Sequence, residues 1–180
     1  GNAAGNFANP ELFGPAIGPG IIAGPLVEFE IPTVINLGLF EGEANGNFEP
    51  DDQMPGVPGV NDIGDGASAE ILTFIEFPTA GIITFGVNSD DGFRMEGGPH
   101  GQPQLRKTLG QEPNARGAAD SIFAFRVDEP GIYPIRVIWW NGGGSGSIEL
   151  FSLKDDGTKV LLNDVANGGL QTYSSQVRAP

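Results

Sequence analysis

Short apolar runs that alternate with polar residues, each cut off by glycine or proline, constrain this chain most. In Leu26–Ile31, Val27, Phe29 and Ile31 fall on one side, Glu28 and Glu30 on the other, and Pro32 ends the run. A period of two is the mark of a half-buried strand. Val34–Phe40, Ala69–Phe77, Ile82–Asn88, Phe93–Glu96, Ser121–Asp128, Ile132–Trp140, Ser147–Lys154 and Lys159–Leu162 read as further strands. The 29 glycines and 15 prolines among 180 residues mark the turns between them. Ala69–Phe77 is apolar at both parities (Ile71, Ile75, Phe77; Leu72, Phe74), which predicts a central strand. Pro134 inside a strand pattern predicts an edge or a bulge. Glu129-Pro130-Gly131 reads as the turn of a hairpin, and Asp155-Asp156-Gly157, between Lys154 and Lys159, as a second one. No stretch sustains a capped helical period, and none approaches the ~20 apolar residues of a membrane span.

The same runs isolate one stretch with chemical content. Ile82–Val87 enters Asn88-Ser89-Asp90-Asp91-Gly92, and Phe93-Arg94-Met95 leaves it. Adjacent carboxylates at a strand tip suit a hard cation such as calcium, which takes ~6–8 oxygen ligands. Asp-Asp-Gly is equally an ordinary turn, and spacing leaves both readings open. Arg94 is the near cation in sequence. The loop 42–66 holds Asp51, Asp52, Asp62 and Asp65, a candidate second calcium site or a solvated loop. The insertion 97–117 carries His100, Arg106, Lys107 and Arg116. It reads as a solvated basic loop or one that docks an acidic partner.

A net charge of −14 argues against binding a phosphate backbone, which needs clustered Lys and Arg, so no nucleic-acid partner is expected. Acidity with Asp in loops fits an extracellular protein that uses divalent cations, and it fits solubility alone. With no cysteine there is no disulfide framework, zinc finger or thiol nucleophile. One histidine, in a Gly/Pro-rich loop, gives no basis for an enzyme.

Gly81–Arg94 resembles the signature of the protective-antigen domain family, a β-sandwich module that also occurs in yeast flocculin adhesins. A second matching stretch is Ala119-Asp120, Pro130–Val137, Trp139-Trp140-Asn141-Gly142-Gly143-Gly144 and Ile148-Glu149-Leu150, in the same order as the family. The resemblance covers roughly residues 27–163. It implies an all-β, antiparallel β-sandwich (jelly-roll-like) over 26–163, between an extended arm (1–25) and a tail (164–180). In the adhesin members the paired aspartates share a cis peptide and hold calcium, which binds sugar hydroxyls. Carried over by position, Asp90 and Asp91 would ligate calcium, Asn141 would add a side-chain oxygen, and carbonyls of the 142–145 loop, with Gly143 and Ser145, would complete the shell. By alternation Trp139 and Trp140 point to opposite faces: one is expected in the core, and the other, Trp140, either packs likewise or flanks the ion as a sugar platform. The loop here is only Gly-Gly-Gly-Ser-Gly, with no side chain to grip a ring.

The arm is too apolar for a solvated linker and too broken for a helix. Phe7, Leu12, Phe13, Ile17, Ile21 and Ile22 need a place to bury, and strand donation to a neighbouring subunit supplies one. The expectation is therefore an exported, cell-surface structural protein of bacterial type, its signal peptide removed, that polymerises with itself head to tail into a filament. The alternative is a calcium-dependent adhesin or lectin module that binds cell-surface glycans. Neither inserts in a membrane.

Overall fold

The computed structural model describes residues 30–40, 42–55, 67–99, 102 and 105–174. The arm residues Phe7, Leu12, Phe13, Ile17, Ile21 and Ile22 lie outside them, as do Asp62, Asp65 and His100. The described residues form eleven strands: β1 (Asn36–Gly38), β2 (Asp52–Gln53), β3 (Ala67–Phe77), β4 (Gly81–Asp90), β5 (Gly92–Gly97), β6 (Lys107–Glu112), β7 (Ala119–Val127), β8 (Gly131–Asn141), β9 (Ser147–Leu153), β10 (Lys159–Leu161) and β11 (Thr172–Ser174). They build two sheets, in the orders β2-β1-β9-β4-β7 (with β10 also on β9) and β11-β3-β8-β5-β6. Every pairing but one is antiparallel; β1 and β2 run parallel. The all-β antiparallel sandwich expected from the sequence is the fold.

Alternation explains the core. Phe85 and Val87 of β4 face Phe77 of β3 and Val137 and Trp139 of β8, and all five are at most 1 % exposed. Phe77, Phe85 and Phe125 meet with centroids 5.0–6.0 Å apart, two of the three pairs edge to face. Each fully buried Phe stabilises the sandwich by roughly 1.5–3 kcal/mol.

Several expectations are corrected. Glu129-Pro130-Gly131 does not close a hairpin: β7 pairs with β4 in one sheet and β8 with β3 and β5 in the other, so the turn crosses between layers. A short turn between two runs is the same signal in either case. Leu72 is 47 % exposed, so β3, though flanked on both sides, is apolar on a face that the described residues leave half open. Pro134 sits in an inner strand, but the β5–β8 register ends at Gly97↔Ile135, so at Pro134 only β3 is paired. The 97–117 insertion contains β6, whose one apolar side chain, Leu109, packs on the core. The segment read as a tail adds β11 to β3. Of Leu26–Ile31 only Glu30 and Ile31 are described, and neither is in a strand. The Asp155-Asp156-Gly157 hairpin forms as read, with Gly157 at φ 84° and Thr158 N–H donating to Asp156 Oδ1 at 2.9 Å.

Phe151 is buried on the outer face of its sheet, with its ring over Gly86. A Cβ on Gly86 would stand 2.1 Å from the Phe151 ring. Gly86→Ala should therefore cost about 1–3 kcal/mol by overpacking. Gly117→Ala, which meets nothing within 4 Å, should be near neutral. Urea denaturation of the two variants checks this, and equal midpoints would contradict it.

Candidate functional site

The end of β4 is where the two sequence motifs meet. Ser89 and Asp90 close the strand, Asp91 follows it, and the Asp90–Asp91 peptide is cis. Asp91 is buried, and its carboxylate holds two neighbouring segments through their backbones. Oδ1 accepts Arg116 N–H at 2.8 Å and Oδ2 accepts Gly142 N–H at 2.7 Å. Some fifty residues apart in the chain, the Asp pair and the Gly142–Gly146 loop are thus adjacent in space.

Asn141, fully buried at the end of β8, organises that loop from within. Its Nδ2 donates to Gly144 O and its Oδ1 accepts from Gly143 N–H, both at 3.3 Å. Gly142, Gly143, Gly144 and Ser145 are exposed. Gly144 at φ 79° supplies the left-handed conformation that lets so short a loop turn. Ser145 Oγ donates to Glu43 Oε1, and Leu39 N–H donates to Gly146 O at 2.9 Å. The loop is therefore fastened at its start to Asp91 and at its end to the 39–43 segment.

The near cation is Arg116, not Arg94. Arg94 lies on β5 with Glu96 at 3.1 Å. Arg116 turns inward from the insertion: Nε donates to Ser89 O at 3.1 Å, Nη2 to Ser89 Oγ at 2.8 Å and Nη1 to Ser121 Oγ at 3.0 Å. Ser89 Oγ in turn donates to Asp91 O at 2.7 Å. A residue read as part of a solvated or partner-docking loop thus fixes the tip of β4. Nothing in the spacing of Arg116 shows this.

Burial, then the charges of Asp91 and Glu43, raises the Asp90 carboxyl to a pKa of about 6. The two aspartates and Glu43 place negative charge at one edge, against which Arg116 is the described counter-charge. The donors at this edge are all oxygen: two carboxylates, an amide and loop carbonyls. Carboxylate oxygens that accept one N–H each keep a lone pair for a metal. That chemistry fits calcium. Among the described residues no three His, Cys, Asp or Glu side chains are grouped as a metal site, so the ion would draw on Asn141 and backbone carbonyls beside the two aspartates.

Two expectations change here. Trp140 is 1 % exposed, with Gly92 packed on its indole nitrogen, so it offers no ring face as a sugar platform. Trp139 is the core residue, its Nε1 donating to Asp90 O at 3.0 Å. Asp51 and Asp52 do not act together: Asp51 is buried, with Oδ2 accepting Asn45 N–H at 3.1 Å, and Asp52, next in an extended segment, is exposed.

Titration of Asp90 has a definite sign. A carboxyl whose folded pKa exceeds its unfolded value of 3.8 favours the fold at low pH, and that contribution is lost as pH rises through about 6. In chelator, melting temperature should fall between pH 5 and 7.5, and Asp90→Asn should flatten the fall. An unchanged slope in the variant would contradict the shift.

No family model and no curated protein matches the chain. Among solved structures it is similar to the PA14 domain of MpAFP antifreeze protein, at 21 % identity and TM-score 0.47 over 58 % of this chain and 50 % of that one. It is similar to the PA14 sugar-binding domain of an RTX adhesin, at 16 % identity and TM-score 0.48 over 73 % of each. It is also similar to the Epithelial Adhesin 6 A domain of Candida glabrata, solved with Galβ1-3GlcNAc, at 16 % identity and TM-score 0.43 over 52 % of this chain and 46 % of that one. The chain thus spans half the length of the antifreeze-protein chain and less than half of the Candida adhesin chain.

Proposed function

We propose that this chain is a non-enzymatic, calcium-dependent carbohydrate-binding module that acts outside the cell, at a cell surface. Asp90 and Asp91 hold the ion, with Asn141 and the carbonyls of Gly143 and Ser145 beside them. Bound calcium supplies coordination positions that a pair of sugar hydroxyls can fill.

One observation carries this reading: the 2.7 Å bond from Gly142 N–H to Asp91 Oδ2, which joins the two motifs behind the sequence resemblance into one oxygen-rich edge. The exposure of residues 142–145 supports it, because a ligand reaches that edge without any rearrangement. With glycines in the loop and Trp140 buried, no side chain described there grips a sugar ring. Selection then rests on the spacing of the hydroxyls and on the shape of the rim. The acidic composition agrees with an extracellular setting. No helix among the described residues is long and apolar enough to cross a membrane. The filament reading rests on arm residues outside the described ones and gains no support from the fold.

A glycan array probed in calcium and in chelator, beside thermal melts, tests the reading. The parent chain should melt higher in calcium and retain glycans only there, and Asp90→Ala should lose both responses. If chelator leaves the parent melt unchanged, the metal claim fails. A calcium-dependent melt with no glycan retained would make the ion structural and remove the carbohydrate claim.

A further inference from the structure

A second group of oxygens stands on the outer face of the β2-β1-β9-β4 sheet. Leu37 and Leu39 point into the core, so Gly38 between them and Asn36 before them point outward. Gly38 pairs with Ser147 of β9, and Ser147 pairs with Asp90 of β4. Asp51 stands level with Asn36, one step before the parallel pair Leu37↔Asp52.

Two carboxylates crowd the space above Gly38. A Cβ there would lie 2.9 Å from Glu43 Oε2 and 3.0 Å from Asp51 Oδ2. Glu43 Oε2 accepts Phe40 N–H at 3.1 Å, Glu43 Oε1 accepts Ser145 Oγ, and Asp51 Oδ2 accepts from Asn45. Among the described residues neither carboxylate has an ion-pair partner.

Three buried oxygens on residues of this face have no hydrogen-bond partner: Asp51 Oδ1, Asn36 Oδ1 and Ser147 Oγ, on residues 6 %, 6 % and 2 % exposed, with Ser147 directly across from Gly38 and Asn36 two residues before it. The Asn36 amide cannot relieve this by flipping, because its Nδ2 already donates to Phe48 O and Pro50 O at 2.9 and 3.0 Å. Buried polar atoms are nearly always satisfied, by protein, by water or by an ion. Two carboxylates, an amide oxygen and a hydroxyl, with no ammonium or guanidinium facing them among the described residues, make a set of hard oxygen donors.

We propose that this space is a second divalent-cation site, suited to calcium, formed by Glu43, Asp51, Asn36 Oδ1 and Ser147 Oγ over Gly38. It uses none of the residues assigned to the Asp90–Asp91 ion. Glu43 is the connection between the two, since it also receives the Ser145 hydroxyl. An ion here fixes the 42–55 loop against β1 and, through Glu43, the far end of the Gly142–Gly146 loop.

Calcium bound per chain, measured by equilibrium dialysis on the full chain, tests this in the parent and in Asp51→Asn, Glu43→Gln, Asp91→Asn and the Asp51→Asn/Asp91→Asn double variant. Far-UV circular dichroism confirms folding. The parent should hold one more calcium than Asp51→Asn and one more than Glu43→Gln, and the double variant should hold two fewer. Equal stoichiometry in the parent and both loop variants overturns the site. A loss in Asp51→Asn with none in Asp91→Asn keeps this site and removes the one under the proposed function; the reverse does the opposite. Should Asp51→Asn fail to fold, Glu43→Gln decides alone.

Discussion

The carboxylate of Asp91 ties three segments of the chain to one point. Its two oxygens take the backbone N–H of Arg116 and of Gly142, at 2.8 and 2.7 Å, from the insertion before β7 and from the turn after β8. Both bonds are charge-assisted, and such bonds are roughly twice as strong as neutral ones. Asp91 is buried, so losing either partner would leave a desolvated charge short of a donor. Apart from Ser145, the glycine run has no side chains with which to hold itself. Its shape comes from Asp91 at one end, Asn141 beneath and, through Ser145 Oγ, Glu43 at the other end. A nearly bare loop can therefore serve as the wall of a site, because its neighbours define it.

The outer face of the same sheet repeats this strategy. Glu149 has no exposed surface, and burial raises its carboxyl pKa. Four hydrogen bonds from Asn47 and Phe48, at 2.8–3.0 Å, offset that desolvation and dock the 45–48 segment on β9. Lys159 sits beside them, bonded to Asp120 and Asn47 and 5.4 Å from the centre of the Phe151 ring. The loop that carries Glu43 toward the Asp pair is thus anchored by a buried carboxylate, on a strand whose two faces are both covered. Charged side chains that are solvent ornament on most sandwiches here set where a long polar loop lies.

Much of the fold was legible because alternation is a strong signal. β3, β4, β7, β8 and β9 fall within two residues of their apolar runs. The short strands β2, β6 and β11 were not legible, because Lys107–Glu112 and Thr172–Ser174 hold one large apolar or aromatic residue each, too few to show a period. Sheet membership was not legible either: Pro130-Gly131 turns the chain as a hairpin would, yet crosses layers. The two Asp-Asp-Gly sequences show the limit at the site. Asp155-Asp156-Gly157 is a plain turn with its charges in solvent. In Asp90-Asp91-Gly92 the second carboxylate is buried and bonded to two distant segments. The difference lies in Arg116 and Gly142, which no local window contains. Glu43 and Arg116 were missed for the same reason: their roles depend on partners dozens of residues away.

Everything functional in this account depends on a cation between the Asp pair and the Gly142–Gly146 loop. A crystal soaked in calcium, with anomalous scattering collected at long wavelength, examines that directly. A calcium ion held there gives a peak about 2.3–2.6 Å from carboxylate oxygens of Asp90 and Asp91, the range for calcium–oxygen bonds, with loop oxygens or water completing the shell. Clean density with no peak there at millimolar calcium would contradict it.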